Sequence, residues 1–385
     1  MTDYVAVARS LGAEIRAAAS EADQARRLPH SVAQSMARAD LYRLTIASAF
    51  GGLEVDPLTS FRVIEAISEA NGSAGWNLML SLETAGISSG AVTPEAGAAV
   101  YGADPGMIMS GALNPLGRGV RVEGGWRLRG RWPFASGCHN ATWFWGGFLV
   151  SDEDGPILRT DGTPKPLQAL IPMGDMRIIE TWDVAGLRGS GSHDVECAEC
   201  FVPDAFVTDV YGSPMRQTTP LFRYPLISRL CFTKVAVATG IARAALDAFA
   251  DLAGAKTPYA SRSLLRDRAQ AQLAMAEAEA LLGGARAFVA QGIGDVWEEV
   301  LAGRAPSPEL RLKQRLAASS AVQWAVRAVE LVHAAAGSSA NFAANPLERH
   351  FRDIHVVPQH VTVAPAFFET AGRALLGLPT LPGSF

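Results

Sequence analysis

Two stretches decide the fold: Gly-Gly-Trp-Arg-Leu-Arg-Gly-Arg-Trp-Pro-Phe-Ala-Ser-Gly at residues 124–137, and Trp-Asp-Val-Ala-Gly-Leu-Arg-Gly-Ser-Gly-Ser-His-Asp-Val at residues 182–195. In the first stretch, Trp126, Leu128 and Trp132 share one face and arginines occupy the other. This alternation is typical of a half-buried strand. The Gly-Gly pair that precedes it is a hairpin signal. The two stretches therefore predict β structure.

Strand-like patterning extends over about residues 106–212, and patterning with a helical period flanks it on both sides. The nearly apolar stretch 75–89 suits a buried helix, and the last helix is predicted over residues 361–376. The resulting prediction is an α+β fold with three parts. These are an N-terminal helical domain (1–105), a middle β-barrel or sandwich domain (106–212) and a C-terminal four-helix bundle (213–385).

The composition is that of an ordinary globular enzyme, because 49% of the 385 residues are hydrophobic and 19% are charged. A formal net charge of −4 without a long basic run argues against nucleic acid or a membrane surface as the main partner. No apolar stretch is long enough to span a bilayer, and the N-terminus lacks a signal-peptide core, so a cytoplasmic location is expected. Cys197 and Cys200 stand in a strand-like run and are predicted to be plain structural residues.

Several catalytic motifs are absent or misplaced. Gly86-Ile-Ser-Ser-Gly90 matches a nucleophile elbow in letters, but it follows a helical stretch where that motif needs a strand. His350, His355 and His360 are five residues apart and so point to different sides of a helix, which disfavours a metal site. Neither a dinucleotide fingerprint nor a phosphate-binding loop occurs. The chain therefore has no recognisable nicotinamide site of its own.

Four motifs carry a resemblance to a known family: Trp-Pro-Phe-Ala-Ser-Gly (132–137), Gly-Leu-Arg-Gly-Ser-Gly-Ser-His-Asp-Val (186–195), Phe-Val-Pro (201–203) and Phe-Arg-Asp (351–353). With the α–β–α order, they resemble the acyl-CoA dehydrogenase superfamily over about residues 27–376. The chain is most similar to that superfamily's two-component flavin monooxygenases. This branch includes hydroxylases of phenolic and steroid-derived rings, dibenzothiophene monooxygenase and amino-sugar N-oxygenases.

The resemblance implies where a flavin binds. The turn Phe134-Ala135-Ser136-Gly137 would face the flavin N5 edge, with Ser136 donating a hydrogen bond and Trp132 or Phe134 packing nearby. The second flavin-facing loop would be formed by Ser190, Gly191 and Ser192, and the flavin phosphate would be bound by Arg262, often of a neighbouring subunit.

One position separates the two chemistries of this superfamily. Its dehydrogenases usually carry a glutamate base about eight residues after the Arg-Asp pair, but here the chain has His360 in that region and no carboxylate. The monooxygenase branch has a histidine there. An imidazole can donate a hydrogen bond to the oxygen atoms of a C4a-hydroperoxyflavin and later pass a proton. His360 is therefore the predicted catalytic residue, together with Ser136.

The residues expected to contact the substrate differ from the family pattern. Several such monooxygenases have a substrate-contacting histidine in the helix after a Gly-Trp pair, but the segment after Gly75-Trp76 has none. The candidates for substrate contact in this chain are instead Ser81, Glu83 and Thr84, together with His139 and Asn140 after the flavin-facing turn.

The resulting prediction is a reductase-dependent flavin monooxygenase. A separate NAD(P)H:flavin reductase would supply reduced FMN or FAD, with FMN slightly favoured, and O2 would provide the oxygen atom for an aromatic, heterocyclic or amine substrate. The resemblance also implies a homotetramer. Two alternatives stay open: an acyl-CoA dehydrogenase whose base has moved to Glu277 or Glu279, and a flavin-binding relative without chemistry.

Overall fold

The structure is a computed structural model, and it describes residues 2–152 and 155–380. Within these residues, helices form both ends of the chain and strands form its middle. This order confirms the predicted α+β architecture. The limits predicted at residues 105 and 212 fall in connecting segments, and the division into three domains stays a prediction.

Seven α-helices precede the sheet in the described residues 2–102. The longest, α6, lies tightly against its neighbour, because a side chain at Gly75 would begin 1.8 Å from the Ser68 hydroxyl. Asn71 begins α6 as its N-cap and accepts a 2.9 Å hydrogen bond from Ala74 N. The helices are α1 (Tyr4–Ser10), α2 (Gly12–Ala17), α3 (Ala19–Ala25), α4 (His30–Arg38), α5 (Pro57–Ala70), α6 (Gly72–Ala91) and α7 (Pro94–Gly97).

The strands in the described part of the middle region belong to one eight-stranded sheet. The predicted hairpin turn lies between β1 and β2, where Gly124 has φ +74°. The strands are β1 (Met109–Val122), β2 (Gly125–Trp132), β3 (Trp143–Asp152), β4 (Gly155–Pro156), β5 (Pro166–Pro172), β6 (Arg177–Ile179), β7 (Asp194–Pro203) and β8 (Val207–Thr208). Their spatial order is β6-β7-β2-β1-β3-β5-β8, and β4 pairs with β3. The β1–β3 pair is parallel and the other pairs are antiparallel.

Three long helices dominate the C-terminal region and pack on one another. The helix predicted over residues 361–376 is wrong in its first part, because α13 begins at Phe367. The residue before Pro365 avoids the helical conformation. The helices are α8 (Pro220–Arg223), α9 (Leu226–Ala255), α10 (Ala269–Leu301), α11 (Pro308–Ala336), α12 (Pro346–Ile354) and α13 (Phe367–Leu375).

Helix α6 lies at the centre of the molecule, packed against β1 on one side and α9 on another. It is buried almost throughout, as the apolar stretch predicted. Its side chains therefore reach both the sheet and the C-terminal helices, and this position brings together residues from all three regions. No helix in residues 2–152 and 155–380 is both long and apolar enough to cross a membrane.

Candidate active site

Three serine hydroxyls and one indole form a connected cluster between the sheet and α6. Ser136 Oγ lies 2.6 Å from Ser192 Oγ, which lies 2.7 Å from Ser190 Oγ. The indole N–H of Trp76 donates to Ser136 Oγ over 3.1 Å. All four side chains are buried. The two loops that the sequence singled out therefore meet at Ser136.

The turn that carries Ser136 is held by backbone hydrogen bonds to the second loop. Gly137 N donates to Ser190 O over 2.9 Å, and Ala135 N donates to His193 O over 3.0 Å. Phe134 and Gly137 have φ of +62° and +74°. A positive φ is unfavourable for Phe134, and this turn leaves its ring 66% exposed beside the hydroxyl cluster.

The second loop is supported from α12. Asp353 is buried, and its Oδ1 accepts a 2.6 Å hydrogen bond from Leu187 N, where the backbone has φ +51°. Burial raises the pKa of Asp353 to about 6. Gly186 leaves no room for a side chain, because a Cβ would lie 2.1 Å from Arg352 O. The Arg352-Asp353 pair therefore fixes the shape of the loop that carries Ser190 and Ser192.

His360 lies on the other side of the indole. Its ring meets that of Trp76 edge to face, with 6.0 Å between centroids. Nδ1 of His360 lies 2.9 Å from Thr362 Oγ1 and 3.3 Å from Thr362 N. Burial, and then the positive charge of Lys234, lower the pKa of His360 to about 3. The imidazole is therefore neutral at physiological pH. The backbone N–H of Thr362 donates to Nδ1, which favours the tautomer with its proton on Nε2.

Of the three substrate candidates on α6, Glu83 lies on the helix face of Trp76, seven residues away. Its carboxylate binds Lys234 Nζ at 2.5 Å and also accepts from the Thr233 hydroxyl. Ser81 Oγ accepts from Met109 N over 3.1 Å. The Thr84 side chain packs against β1 at Gly111. The positions of Ser81 and Thr84 on the sheet side give no support to their predicted substrate contact.

Comparison with known proteins places this arrangement in a family. The profile described as "Acyl-CoA dehydrogenase, N-terminal domain" matches residues 5–92, and "Acyl-CoA dehydrogenase, C-terminal domain" matches residues 232–365. Indole-3-acetate monooxygenase of Pseudomonas putida is 33% identical over 97% of this chain and 93% of its own length. The chain belongs to the flavin-dependent monooxygenases of the acyl-CoA dehydrogenase family.

Other relatives of this monooxygenase support the same fold and reaction class. The flavin-dependent monooxygenase oxygenase subunit HsaA of Rhodococcus jostii is 28% identical over 95% of the chain and 96% of its own length. The crystal structure of 3-HSA hydroxylase from Rhodococcus sp. RHA1 matches with a TM-score of 0.89 at 26% identity, covering 100% of this chain and 99% of that one. These matches confirm the predicted fold and the predicted reaction class. As an oxygenase component, the protein uses reduced flavin from a separate reductase and acts on a small molecule.

The residues of this monooxygenase fit a flavin. Asn77 Oδ1 is buried and has no hydrogen-bond partner among the described residues. It lies next to the flavin-facing turn, because a Cβ at Gly137 would be 3.3 Å from it. An unpaired buried acceptor is costly unless a ligand or water satisfies it. Together with the exposed ring of Phe134, it leaves an unsatisfied polar atom and an apolar surface for a planar heteroaromatic ligand.

The other predicted flavin contacts are placed differently. Trp132 is fully buried inside the sheet, where its indole N–H donates to Gly147 O over 2.7 Å and its ring packs on Phe144. Phe134 is thus the better placed of the two aromatic candidates. Arg262 is exposed in the segment between α9 and α10, without a hydrogen bond or ion pair to the described residues. Its predicted contact with the flavin phosphate stays a prediction.

His139 and Asn140 tie the sheet to its surroundings. His139 Nε2 lies 2.9 Å from Glu180 Oε1, and Asn140 Nδ2 donates to Leu28 O over 2.8 Å. His139, Glu180 and His193 place three potential metal-ligand atoms within 4.8 Å of one another. However, His193 Nδ1 accepts a 3.0 Å hydrogen bond from Trp182 N, so its Nε2 carries the proton and has no lone pair for a metal. These histidines therefore act as hydrogen-bonding groups at this junction.

The alternative dehydrogenase base has no support in this monooxygenase. Glu277 and Glu279 are exposed on α10, and Glu279 pairs with Arg243 at 2.7 Å. Cys197 and Cys200 are free thiols on β7, consistent with plain strand residues.

Sequence reasoning missed five residues that shape the site. Four of them act on partners distant in sequence, for which motif spacing gives no signal, and the fifth, Thr362, contacts His360 two positions away. They are Trp76, Asn77, Lys234, Asp353 and Thr362.

Proposed function

We propose that this monooxygenase inserts one oxygen atom of O2 into an aromatic or heteroaromatic ring. The second oxygen atom leaves as water, and reduced flavin provides the two electrons. The proposal is supported by relatives named for indole-3-acetate and resorcinol. The observation that carries it is the neutral, buried imidazole of His360 beside Trp76, where a dehydrogenase would need a carboxylate.

The flavin would lie against the Ser136 turn and the Ser190–Ser192 loop. When bound, the reduced flavin supplies the electrons that activate O2. Ser136 Oγ accepts a hydrogen bond from Trp76. It also accepts one from Ser192 when the Ser190 hydroxyl donates to Ser192 and the Ser192 hydroxyl donates to Ser136. Both acceptor positions of the Ser136 hydroxyl are then occupied, and its own hydrogen is free to donate to the flavin.

His360 would hold a proton at Nε2 and direct it towards the reacting oxygen atoms. Thr362 fixes the ring by its contacts at Nδ1. The low pKa keeps the ring a neutral donor rather than a cation. The burial of Trp76, Ser136 and Ser192 limits water at the same place.

The test is the partition of consumed O2 between hydroxylated product and hydrogen peroxide. The wild type, given reduced flavin and an indole or phenol substrate, is expected to place most of the oxygen in product. His360→Ala should lose about tenfold or more of this coupling, a lower bound on the roughly 10²–10⁴-fold effect that is typical of a lost general acid. His355→Ala is the matched control, because His355 lies at the end of α12 and contacts Glu330 instead. Equal peroxide yields from wild type and His360→Ala, or the absence of product with every ring tested, would overturn the proposal.

We also propose FMN over FAD as the preferred flavin, and a homotetramer as the working assembly. The flavin preference rests on the resemblance alone, and titration of both reduced flavins measures it. The tetramer is supported by large apolar side chains exposed on the C-terminal region, among them Leu273 at 71% and Leu376 at 79%. Sedimentation equilibrium tests it, and a mass of one chain would contradict it.

A further inference from the structure

The amide of Asn77 lies against the flavin-facing turn with its oxygen unpaired. Asn77 is 6% exposed, and its Oδ1 has no hydrogen-bond partner among the described residues. It follows Trp76 on α6 and faces Gly137, next to the place where Trp76 bonds to Ser136. Gly137 has no side chain to cover the amide oxygen, and no hydrogen bond to the described residues holds it. A small rotation of the amide therefore brings this oxygen to a ligand that lies on the turn.

The donors of the turn itself are almost all used within the protein. The backbone N–H groups of residues 135–138 each donate to a carbonyl oxygen of the chain, over distances between 2.9 and 3.1 Å. The indole N–H of Trp76 donates to Ser136 Oγ. The hydroxyl hydrogen of Ser136 is then the donor that this turn has left for a ligand.

Ser136 cannot also serve as the acceptor for a ligand. With Ser190 donating to Ser192 and Ser192 donating to Ser136, both acceptor positions of the Ser136 hydroxyl are occupied, one by Ser192 and one by Trp76. A ligand N–H group at this turn therefore needs a different acceptor, and Asn77 Oδ1 is a buried acceptor beside the turn that has no partner among the described residues.

The turn thus presents one donor, one acceptor and the ring of Phe134, which is 66% exposed. This set matches the N5 edge of a reduced flavin, where the carbonyl O4 accepts, N5–H donates and the adjoining benzenoid ring is apolar. The pyrimidine edge matches less well, because N3–H lies between two carbonyl oxygens and calls for a donor on each side.

We infer that Asn77 makes the site selective for reduced flavin, by accepting a hydrogen bond from N5–H while Ser136 donates to O4. Oxidised flavin has a lone pair at N5 in place of the hydrogen, so the amide oxygen would face a second acceptor and stay unpaired. Such a buried acceptor is costly, and a site built for an N–H group discriminates against an analogue without it. The Ser136 hydrogen bond gives no such selectivity, since O4 is a carbonyl oxygen in both oxidation states.

This inference rests on the proposed function, because it places the flavin against the Ser136 turn. It adds a specificity-determining residue for the oxidation state of the flavin. A protein that depends on a separate reductase has to take up reduced flavin and release the oxidised form, and Asn77 favours both events.

The experiment measures dissociation constants of FMN and 5-deaza-FMN, each oxidised and reduced, by calorimetry under argon. Reduced 5-deaza-FMN has a CH2 group in place of N5–H and so lacks the hydrogen that Asn77 would accept. The wild type is expected to bind reduced FMN about tenfold or more tightly than reduced 5-deaza-FMN, the size of effect expected when a buried acceptor loses its donor.

Two variants separate the roles of the amide and the hydroxyl. Asn77→Leu should lose about tenfold in affinity for reduced FMN and should not weaken the binding of the other three ligands. The same loss lowers the midpoint potential of the bound flavin by about 30 mV relative to wild type, which a redox titration measures. Ser136→Ala is the matched comparison and should weaken all four ligands alike, because each of them carries O4.

Retained affinity of Asn77→Leu for reduced 5-deaza-FMN shows that this variant is folded, and the wild-type comparison needs no substitution. An equal loss for all four ligands in Asn77→Leu would place the amide at N3–H and overturn the inference. So would equal wild-type affinity for reduced FMN and reduced 5-deaza-FMN, or a preference that disappears in Ser136→Ala and persists in Asn77→Leu. A wild type that hydroxylates its ring substrate without this preference would leave the proposed function intact while the inference fails.

Discussion

Acidification should destabilise this protein through two buried histidines. His350 and His360 both have pKa values lowered to about 3, in each case chiefly by burial. An unfolded histidine has a pKa near 6.5, so the unfolded chain takes up these protons first as the pH falls. The stabilisation is complete above about pH 6.5 and is lost progressively towards pH 3. At pH 5 the loss is about 2 kcal/mol per histidine, from RT ln(1 + 10^1.5).

The perturbation that tests this is His360→Gln, which removes the titrating ring and keeps a polar group facing Thr362. The free energy of unfolding is measured by urea titration of the flavin-free protein at pH 8, 7, 6 and 5. Between pH 8 and 5 the wild type should lose about 2 kcal/mol more than His360→Gln. His355→Gln provides the control and should retain the wild-type dependence. Asp353 has the opposite effect on stability in both wild type and His360→Gln. Its pKa is raised to about 6 in the folded protein, so protonation of Asp353 stabilises the fold as the pH falls.

A pH dependence that is identical in wild type and His360→Gln would refute the reasoning. So would an imidazole resonance of His360 that titrates near pH 6.5 in the folded protein. Either result would mean that the ring is better solvated than its burial between Trp76 and Lys234 implies, and that it is not held as a neutral donor.

Three further predictions concern the loops around the hydroxyl cluster. Asp353→Ala should lower stability by about 1–3 kcal/mol, because Leu187 N loses its buried acceptor; Asp353→Asn should recover most of this in a urea titration. Trp76→Phe removes a donor to Ser136, worth about 1 kcal/mol, and should weaken reduced-flavin binding about fivefold in a fluorescence titration. Unchanged flavin affinity would show that this hydrogen bond does not orient Ser136. Gly137→Ala forces a side chain to φ +74° and should cost about 1 kcal/mol of unfolding free energy.

The sheet and the two flavin-facing loops were predictable, because the information for them is local. Alternation around Trp126 and Leu128 marks a strand, and small residues at Ser136 and Ser190 mark loops that approach a ligand. The prediction that the last helix begins at residue 361 was wrong. The cause is also local, but the hydrophobic periodicity does not reveal it. The N–H and hydroxyl of Thr362 bond to His360, and Pro365 follows, so the helix begins only at Phe367.

The contacts that build the site were not predictable, since they join residues far apart in the chain. Trp76 reaches Ser136 across 60 positions, and Asp353 reaches Leu187 across 166. Neither pair leaves a periodic or spacing signal in a single sequence. The buried charged groups were unpredictable for the same reason. Nothing in the residues around Lys234 indicates that its ammonium is buried against Glu83, or that Arg229 Nη2 is buried without a partner among the described residues.

The choice between dehydrogenase and oxygenase depends on which group near the flavin loops can exchange a proton. Glu83 is a buried carboxylate on the same face of α6 as Trp76, but both of its oxygens are bound by Lys234, and Thr233 adds a further hydrogen bond. A carboxylate held in this way has no free oxygen with which to take a proton from a substrate carbon. His360 is free of such a partner at Nε2 among the described residues and is neutral, so it can donate. The sheet and its loops would serve either chemistry, and the contrast between an occupied carboxylate and an available imidazole favours oxygen transfer.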